Sequence, residues 1–215
     1  MKKVVAYLLT LVMILSCTSV AMAAEEQPIP LEGGFVPMSR EEFLTRKAAA
    51  EGITYEEAAQ IVDAEIQAAL AALGGTAMPL GWTGDTTIDN GDTTYTIYGT
   101  VYDNNYHPSG MQAYFYADAV KLYHHYGSQF ISTGQTGAWA SGFGQYTLTP
   151  GSSVSATIIN SNSQIRLALN ASYEVAEDYA ISLGLDFQFL NASATVGGTL
   201  YYRTDPFTDA HIETA

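Results

Sequence analysis

Tyrosines are the residues whose type and spacing point most directly to chemistry. Thr94 to Tyr102 alternates with period two: Tyr95, Ile97, Gly99 and Val101 fall on one side, Thr94, Thr96, Tyr98, Thr100 and Tyr102 on the other. Tyr98 and Tyr102 thus share the more polar face of one strand, Tyr106 follows closely, and Tyr201 takes the polar position in a later alternating run. An exposed tyrosine is a flat, partly apolar platform with a hydrogen-bonding tip, which suits a sugar ring or a protein partner. This pattern predicts Tyr98, Tyr102, Tyr106 and Tyr201 as solvent-facing ligand contacts. The competing reading packs them under a loop, a helix or a cross-strand neighbour.

A second group is acidic. Asp85, Asp89, Asp92 and Asp103, with Asn90, Asn104 and Asn105, cluster near turn signals. Hard oxygens at loop tips are what calcium selects, since it takes six to eight of them. Calcium is therefore the cofactor these residues would hold, although their spacing is not that of an EF-hand and turns favour Asp and Asn for their own sake. Of the histidines His107, His124, His125 and His211, the adjacent pair would point to opposite faces of a strand, so a zinc or copper site would need partners brought from elsewhere in the fold.

Glycan hydrolysis needs two carboxylates roughly 5–10 Å apart. Beyond Gly75 the glutamates are Glu174, Glu177 and Glu213, and Glu174 or Asp186, with Asp118 as a further partner, are the groups a hydrolase would use. No Gly-x-Ser-x-Gly elbow marks a serine nucleophile.

These residues need elements to hold them. Ser39-Arg40-Glu41-Glu42 and Thr54-Tyr55-Glu56-Glu57 are capping boxes, and Met38 with Phe43 forms a hydrophobic staple around the first. Gly52 is placed as a left-handed cap. Ala58, Val62, Ile66, Ala69, Leu70 and Leu73 form one stripe at helical spacing, so a helical hairpin is predicted over 39–75, as a docking element or a removable pro-segment. Its Gly52-Ile53-Thr54 turn loosely resembles that of DNA-binding helix-turn-helix proteins, but carboxylates stand where phosphate contacts need Lys or Arg.

After Gly75 the composition turns to Thr, Ser, Gly, Asn and Tyr, with 13 of the 15 tyrosines. Period-two runs recur at Ile165–Val175, Ile181–Phe189 and Ala194–Tyr202, separated by turn signals at Asp89-Asn90-Gly91-Asp92, Asn104-Asn105, Pro108-Ser109-Gly110, Pro150-Gly151 and Asn160-Ser161-Asn162-Ser163. One apolar and one polar face per strand is antiparallel behaviour. Met111 to Tyr126 alternates imperfectly, as a bulged strand or one covered on both faces would. The predicted fold is mainly β: a sandwich or jelly roll of seven or eight strands over 76–215, behind the hairpin and an extended leader over 24–38. The amphipathic Ser152–Ser172 hairpin also has the pattern of strands that β-barrel pore-formers insert.

Met1-Lys2-Lys3, the apolar run Val4–Leu15 and Ala21-Met22-Ala23 make a signal peptide over 1–23, and the run is too short to span a bilayer. Ile14-Leu15-Ser16-Cys17 resembles a lipobox, which would anchor a lipoprotein through Cys17 instead. Cleavage at Ala23 leaves no cysteine, and 6 basic against 22 acidic residues, a net charge of −16. Thiol chemistry is excluded for that chain, and nucleic acid and anionic membrane are poor partners. The expected function is that of a secreted, non-catalytic binding protein for a glycan or protein ligand. A secreted glycan hydrolase and a pore-forming toxin are the alternatives.

Overall fold

The computed structural model describes residues 34–73, 81–82, 87–91, 94–106, 109–142, 145–185, 191–196 and 199–215. The chain is mainly β, its sheets antiparallel, with a helical hairpin before most of them. The predicted signal peptide, 1–23, lies outside the described residues.

Helix α1 (Arg40–Glu51) begins where Ser39 Oγ accepts from the Glu42 amide, and ends at Gly52 with φ 69°. Only half of its capping box closes, because the Glu42 carboxylate turns to Arg46. Helix α2 (Tyr55–Ala72) carries the complete box between Thr54 and Glu57. Phe43, Leu44 and Ala48 of α1 and Ala58, Val62, Ile66 and Leu70 of α2 are buried, whereas Leu73, placed in the stripe, is exposed. Arg40 donates to both oxygens of Asp63, at 2.8 and 2.9 Å, and ties the two helices together.

Thirteen strand segments form three sheets among the described residues. The largest sheet runs β2 (Gly81–Trp82), β3 (Thr87–Gly91), β4 (Thr94–Tyr106), β5 (Gln112–His124), β6 (Gly127–Ala140). The segment β1 (Gly34–Pro37) also pairs with β4, at Gly99–Tyr102, so the end of the expected leader is a strand. A three-stranded sheet orders β13 (Phe207–Thr214), β9 (Gln164–Ala171) and β8 (Ser153–Ile159), and a four-stranded one orders β11 (Asn191–Val196), β12 (Thr199–Arg203), β10 (Tyr173–Ala176) and β7 (Tyr146–Leu148). Val101, Ala113, Phe115, Ala117 and Phe130 of the large sheet meet Ile165, Leu167, Leu169, Tyr173 and Val175 of the smaller two, the sandwich-like packing that alternation predicts. The stretch Met111–Tyr126, whose alternation is imperfect, contains β5. From Ala117 to Leu122 it is buried throughout, because the sandwich covers one face and the hairpin the other.

Some expected elements differ. Asn104 and Asn105 continue β4 and do not turn; the chain reverses after Tyr106, with Gly110 at φ 86°. Ile181 and Ser182 close a short helix α3 (Glu177–Ser182), so the predicted strand over 181–189 does not begin there. Glu177 and Asp178 at its first turn favour a helix start, Gly184 ends it at φ 65°, and Ala180 and Leu183 reach the core from one side of it. Residues 186–190 lie outside the description. The run Ala194–Tyr202 is not one strand but the hairpin β11–β12, with Val196 paired to Thr199 and Gly197-Gly198 between them. Strand β13 follows, which the pattern did not predict.

Candidate functional site

The outer face of the large sheet has two zones. In the first, Tyr98, Val120 and Leu122 are covered by the hairpin, and Phe43 packs on Tyr98 with ring centroids 5.4 Å apart. Lys47, itself buried, donates to the Thr133 carbonyl at 2.8 Å and to Glu51 at 2.6 Å, which pins α1 onto β6. Tyr98 is fully buried, and this corrects its expected exposure. The register was right, because Tyr98 does lie opposite Val101, but helices cover that face here. Burial pushes the Tyr98 hydroxyl pKa up to about 12, although Arg40 beside it pulls the other way.

The second zone continues on the same face past α1. Register pairs Tyr102 with Tyr116, Tyr114 with Trp139, and Tyr116 with Gly137. Trp139 stacks on Tyr114 at 5.4 Å and 17°, and its ring also lies 5.9 Å from Tyr116 and 6.4 Å from Tyr102. Tyr102 and Tyr116 are 5.8 Å apart. A Cβ on Gly137 would fall 2.6 to 2.8 Å from Cε1, Cζ and Oη of Tyr116, so that ring lies flat across the bare backbone of β6. Tyr106 is 70% exposed and is close enough to Tyr114 to help burial raise that hydroxyl's pKa. The result is a half-buried aromatic shelf of Tyr102, Tyr114, Tyr116 and Trp139, with Tyr106 at its open end.

The helix side of the shelf is closed by charge. Arg46 Nη1 lies 3.5 Å from Asp118 Oδ1, which also accepts from Thr100 Oγ1 at 2.6 Å, and Arg46 Nη2 meets Glu42. Asp118 Oδ2 has no hydrogen-bond partner among the described residues. Burial pushes the Asp118 carboxyl pKa up to about 6, against the pull of Thr100 and Arg46. Tyr102 and Tyr116 are raised mainly by burial as well, with Arg46 opposing both shifts. A raised carboxyl is what a general acid needs. Asp118, however, has no exposed surface; it holds Arg46 in place from below.

Of the four predicted tyrosines, Tyr102 joins the shelf and Tyr106 lies near its Tyr114, Tyr98 lies under the hairpin, and Tyr201 sits in the four-stranded sheet paired with Ala176 and Ala194. Tyr114, Tyr116 and Trp139 were missed. Their signal was the parity of Tyr114 and Tyr116, obscured because the strand is buried on both faces further along.

The predicted calcium residues are described only in part. Asp85 and Asp92 lie outside the described residues, and Asp89 is in β3, paired with Tyr95. Asp103 meets His211 Nδ1 at 3.3 Å, while His211 Nε2 faces Glu213 at 3.3 Å. Asn105 donates to Asp209 at 2.9 Å. Asp209, His211 and Glu213 alternate along β13, the inward charges that protect an edge strand from further pairing. Among the described residues no group of three His, Cys, Asp or Glu side chains is placed to hold a metal. Of the carboxylates a hydrolase would use, Glu174 pairs with Arg203 at 3.5 Å, Asp118 is buried beside Arg46, and Asp186 lies outside the description, while Glu177 accepts from the Tyr202 hydroxyl at 3.3 Å. His124 and His125 sit at the β5–β6 tip beside Tyr126, and His107 is outside the description. The Ser152–Ser172 segment does form a hairpin, β8–β9, but β9 is the central strand of its sheet and buries Ile165, Leu167 and Leu169. No helix among the described residues is long and apolar enough to cross a membrane.

Comparison with protein-family models, with curated proteins and with solved structures found no match.

Proposed function

We propose that this chain is an exported, non-catalytic binding protein whose ligand is a glycan held on the aromatic shelf. The observation that carries the reading is the contiguity of Tyr102, Tyr106, Tyr114, Tyr116 and Trp139 on one sheet face, next to the Arg46–Asp118 pair. Rings fixed by their neighbours lose little freedom on binding, offer apolar area to a sugar face, and keep hydroxyl tips for its rim. The acidic surface adds a reason, since it disfavours phosphate backbones and anionic lipid without hindering a neutral sugar.

A glycan array probed with the protein from Ala24 onward, with and without calcium, tests this. Binding to at least one glycan class is expected, and Tyr116→Ala and Trp139→Ala should each weaken it by roughly tenfold, since contacts that matter contribute above about 1 kcal/mol. A blank array, or full affinity in both variants, would sink the proposal and leave a protein ligand as the other expected partner.

A further inference from the structure

A cleft opens beside the shelf. It is bounded by Thr136–Ala140 of β6, Thr147–Thr149 and Ser152–Val154, with a volume of about 480 Å³. That lies inside the range of roughly 300–1,000 Å³ typical of small-molecule sites. Its origin is topological. β6 is the last strand of the large sheet, so no strand among the described residues pairs with its outer edge, while β7 and β8 belong to the other two sheets. The three sheets part at this edge, and the cleft is the gap between them.

The lining mixes hydroxyls with small and apolar side chains. Thr136, Thr147, Thr149, Ser152 and Ser153 supply hydroxyls, Trp139 supplies a ring, and no lining residue is charged. Thr136 Oγ1 donates to the Val154 carbonyl at 3.1 Å and so ties β8 across β6. Thr149 and Ser152 hydroxyls lie 3.3 Å apart. Each hydroxyl can donate once and accept twice, so these internal bonds leave capacity for a ligand. In a chain with 22 acidic residues, a binding-sized cleft without charge gives an anion no counter-charge and a cation no carboxylate. Its donors and acceptors match those of an uncharged polyhydroxy chain. Trp139 belongs both to this lining and to the shelf, where it stacks on Tyr114.

We propose that the cleft is the second half of one extended site, and that it takes the continuation of a neutral oligosaccharide whose first units lie on the shelf. This rests on the glycan reading of the shelf. The step at Trp139 makes the site sensitive to chain length, because only a chain longer than the shelf reaches the hydroxyls.

Titration calorimetry of the full exported chain with cello-, malto-, manno- and N-acetylchito-oligosaccharides of two to six units tests this. In the series that binds, affinity should rise at least tenfold from the shortest to the longest. Ser153→Tyr, at an exposed position on β8, fills the cleft and should abolish that rise while leaving disaccharide affinity unchanged. Thr147→Tyr fills it from the opposite wall and should do the same, which guards against a folding defect in either variant. Tyr116→Ala should weaken every length by a similar factor. If the length dependence is absent, or survives both filling variants, the cleft is not part of the site and the shelf reading stands. If no series binds, the shelf reading itself fails and takes the cleft with it.

Discussion

Asp118 has exchanged water for one hydroxyl and one guanidinium, with its second oxygen unpartnered among the described residues, and its ionisation is correspondingly unfavourable. Its pKa is raised from 3.8 to about 6. Because the folded value lies above the unfolded one, the associated stability is fully present below about pH 3.8 and is lost as pH rises through about 6. Asp118→Asn keeps the shape and removes the titration. Urea denaturation at about pH 4 and about pH 8 should therefore show the wild type losing roughly 2–3 kcal/mol relative to the variant, since a tenfold change in proton affinity is worth about 1.4 kcal/mol. A constant difference across that range would mean that Arg46 compensates the charge fully. Tyr98 offers the complementary test. As a buried ring beneath Phe43, it should cost about 3–5 kcal/mol of stability when cut to alanine. The more exposed Tyr106→Ala should cost under about 1 kcal/mol.

The helical hairpin acts as a third layer on the sandwich. Phe43, Leu44, Val62, Ile66 and Leu70 bury Tyr98, Val120 and Leu122, and Lys47 locks the contact through the Thr133 carbonyl. Without it the large sheet would present an apolar face to water, the kind of patch that drives association. A chain beginning after Leu73 should bind a hydrophobic dye, lose its cooperative melt and aggregate. Retention of the full-length melting temperature would instead make the hairpin a removable segment. A smaller perturbation tests how the hairpin is closed. At φ 69°, Gly52 occupies a left-handed position that L residues resist, so Gly52→Ala should lower stability by roughly 1–2 kcal/mol, measured by chemical denaturation.

For the molecule as a whole, the acidic charge stands beside the proposed export. Its fold has no disulfide to rely on, since Cys17 is the only cysteine, so burial alone must hold the sandwich. The positive start, the apolar run and Ala21-Met22-Ala23 predict that N-terminal sequencing of exported protein begins at Ala24 or Glu25. A lipid-modified Cys17 at the new N-terminus would overturn that and place the chain on a membrane.

The sequence by itself determined the elements whose signals are local. Ser39, Gly52 and the Thr54–Glu57 box mark their helices within a residue or two, because capping is satisfied by atoms three or four residues apart. Period-two runs identified β4 and β9 and sorted their residues into two faces, because alternation is a property of the strand alone. What alternation cannot say is which face is covered, and by what. Tyr98 and Tyr102 share one face of β4, yet Phe43 of α1 covers the first while the second meets Tyr116 and Trp139 in the shelf. Only the tertiary structure decided this, and it alone brought Tyr114, Tyr116 and Trp139 to Tyr102. It also turned Ile181 and Ser182 into helix and divided Ala194–Tyr202 into β11, ending at Val196, and β12, beginning at Thr199, where period-two runs fit two local structures equally well. Faces are written into a strand; their covering depends on residues far away in the chain, and the shelf exists because the hairpin ends where it does.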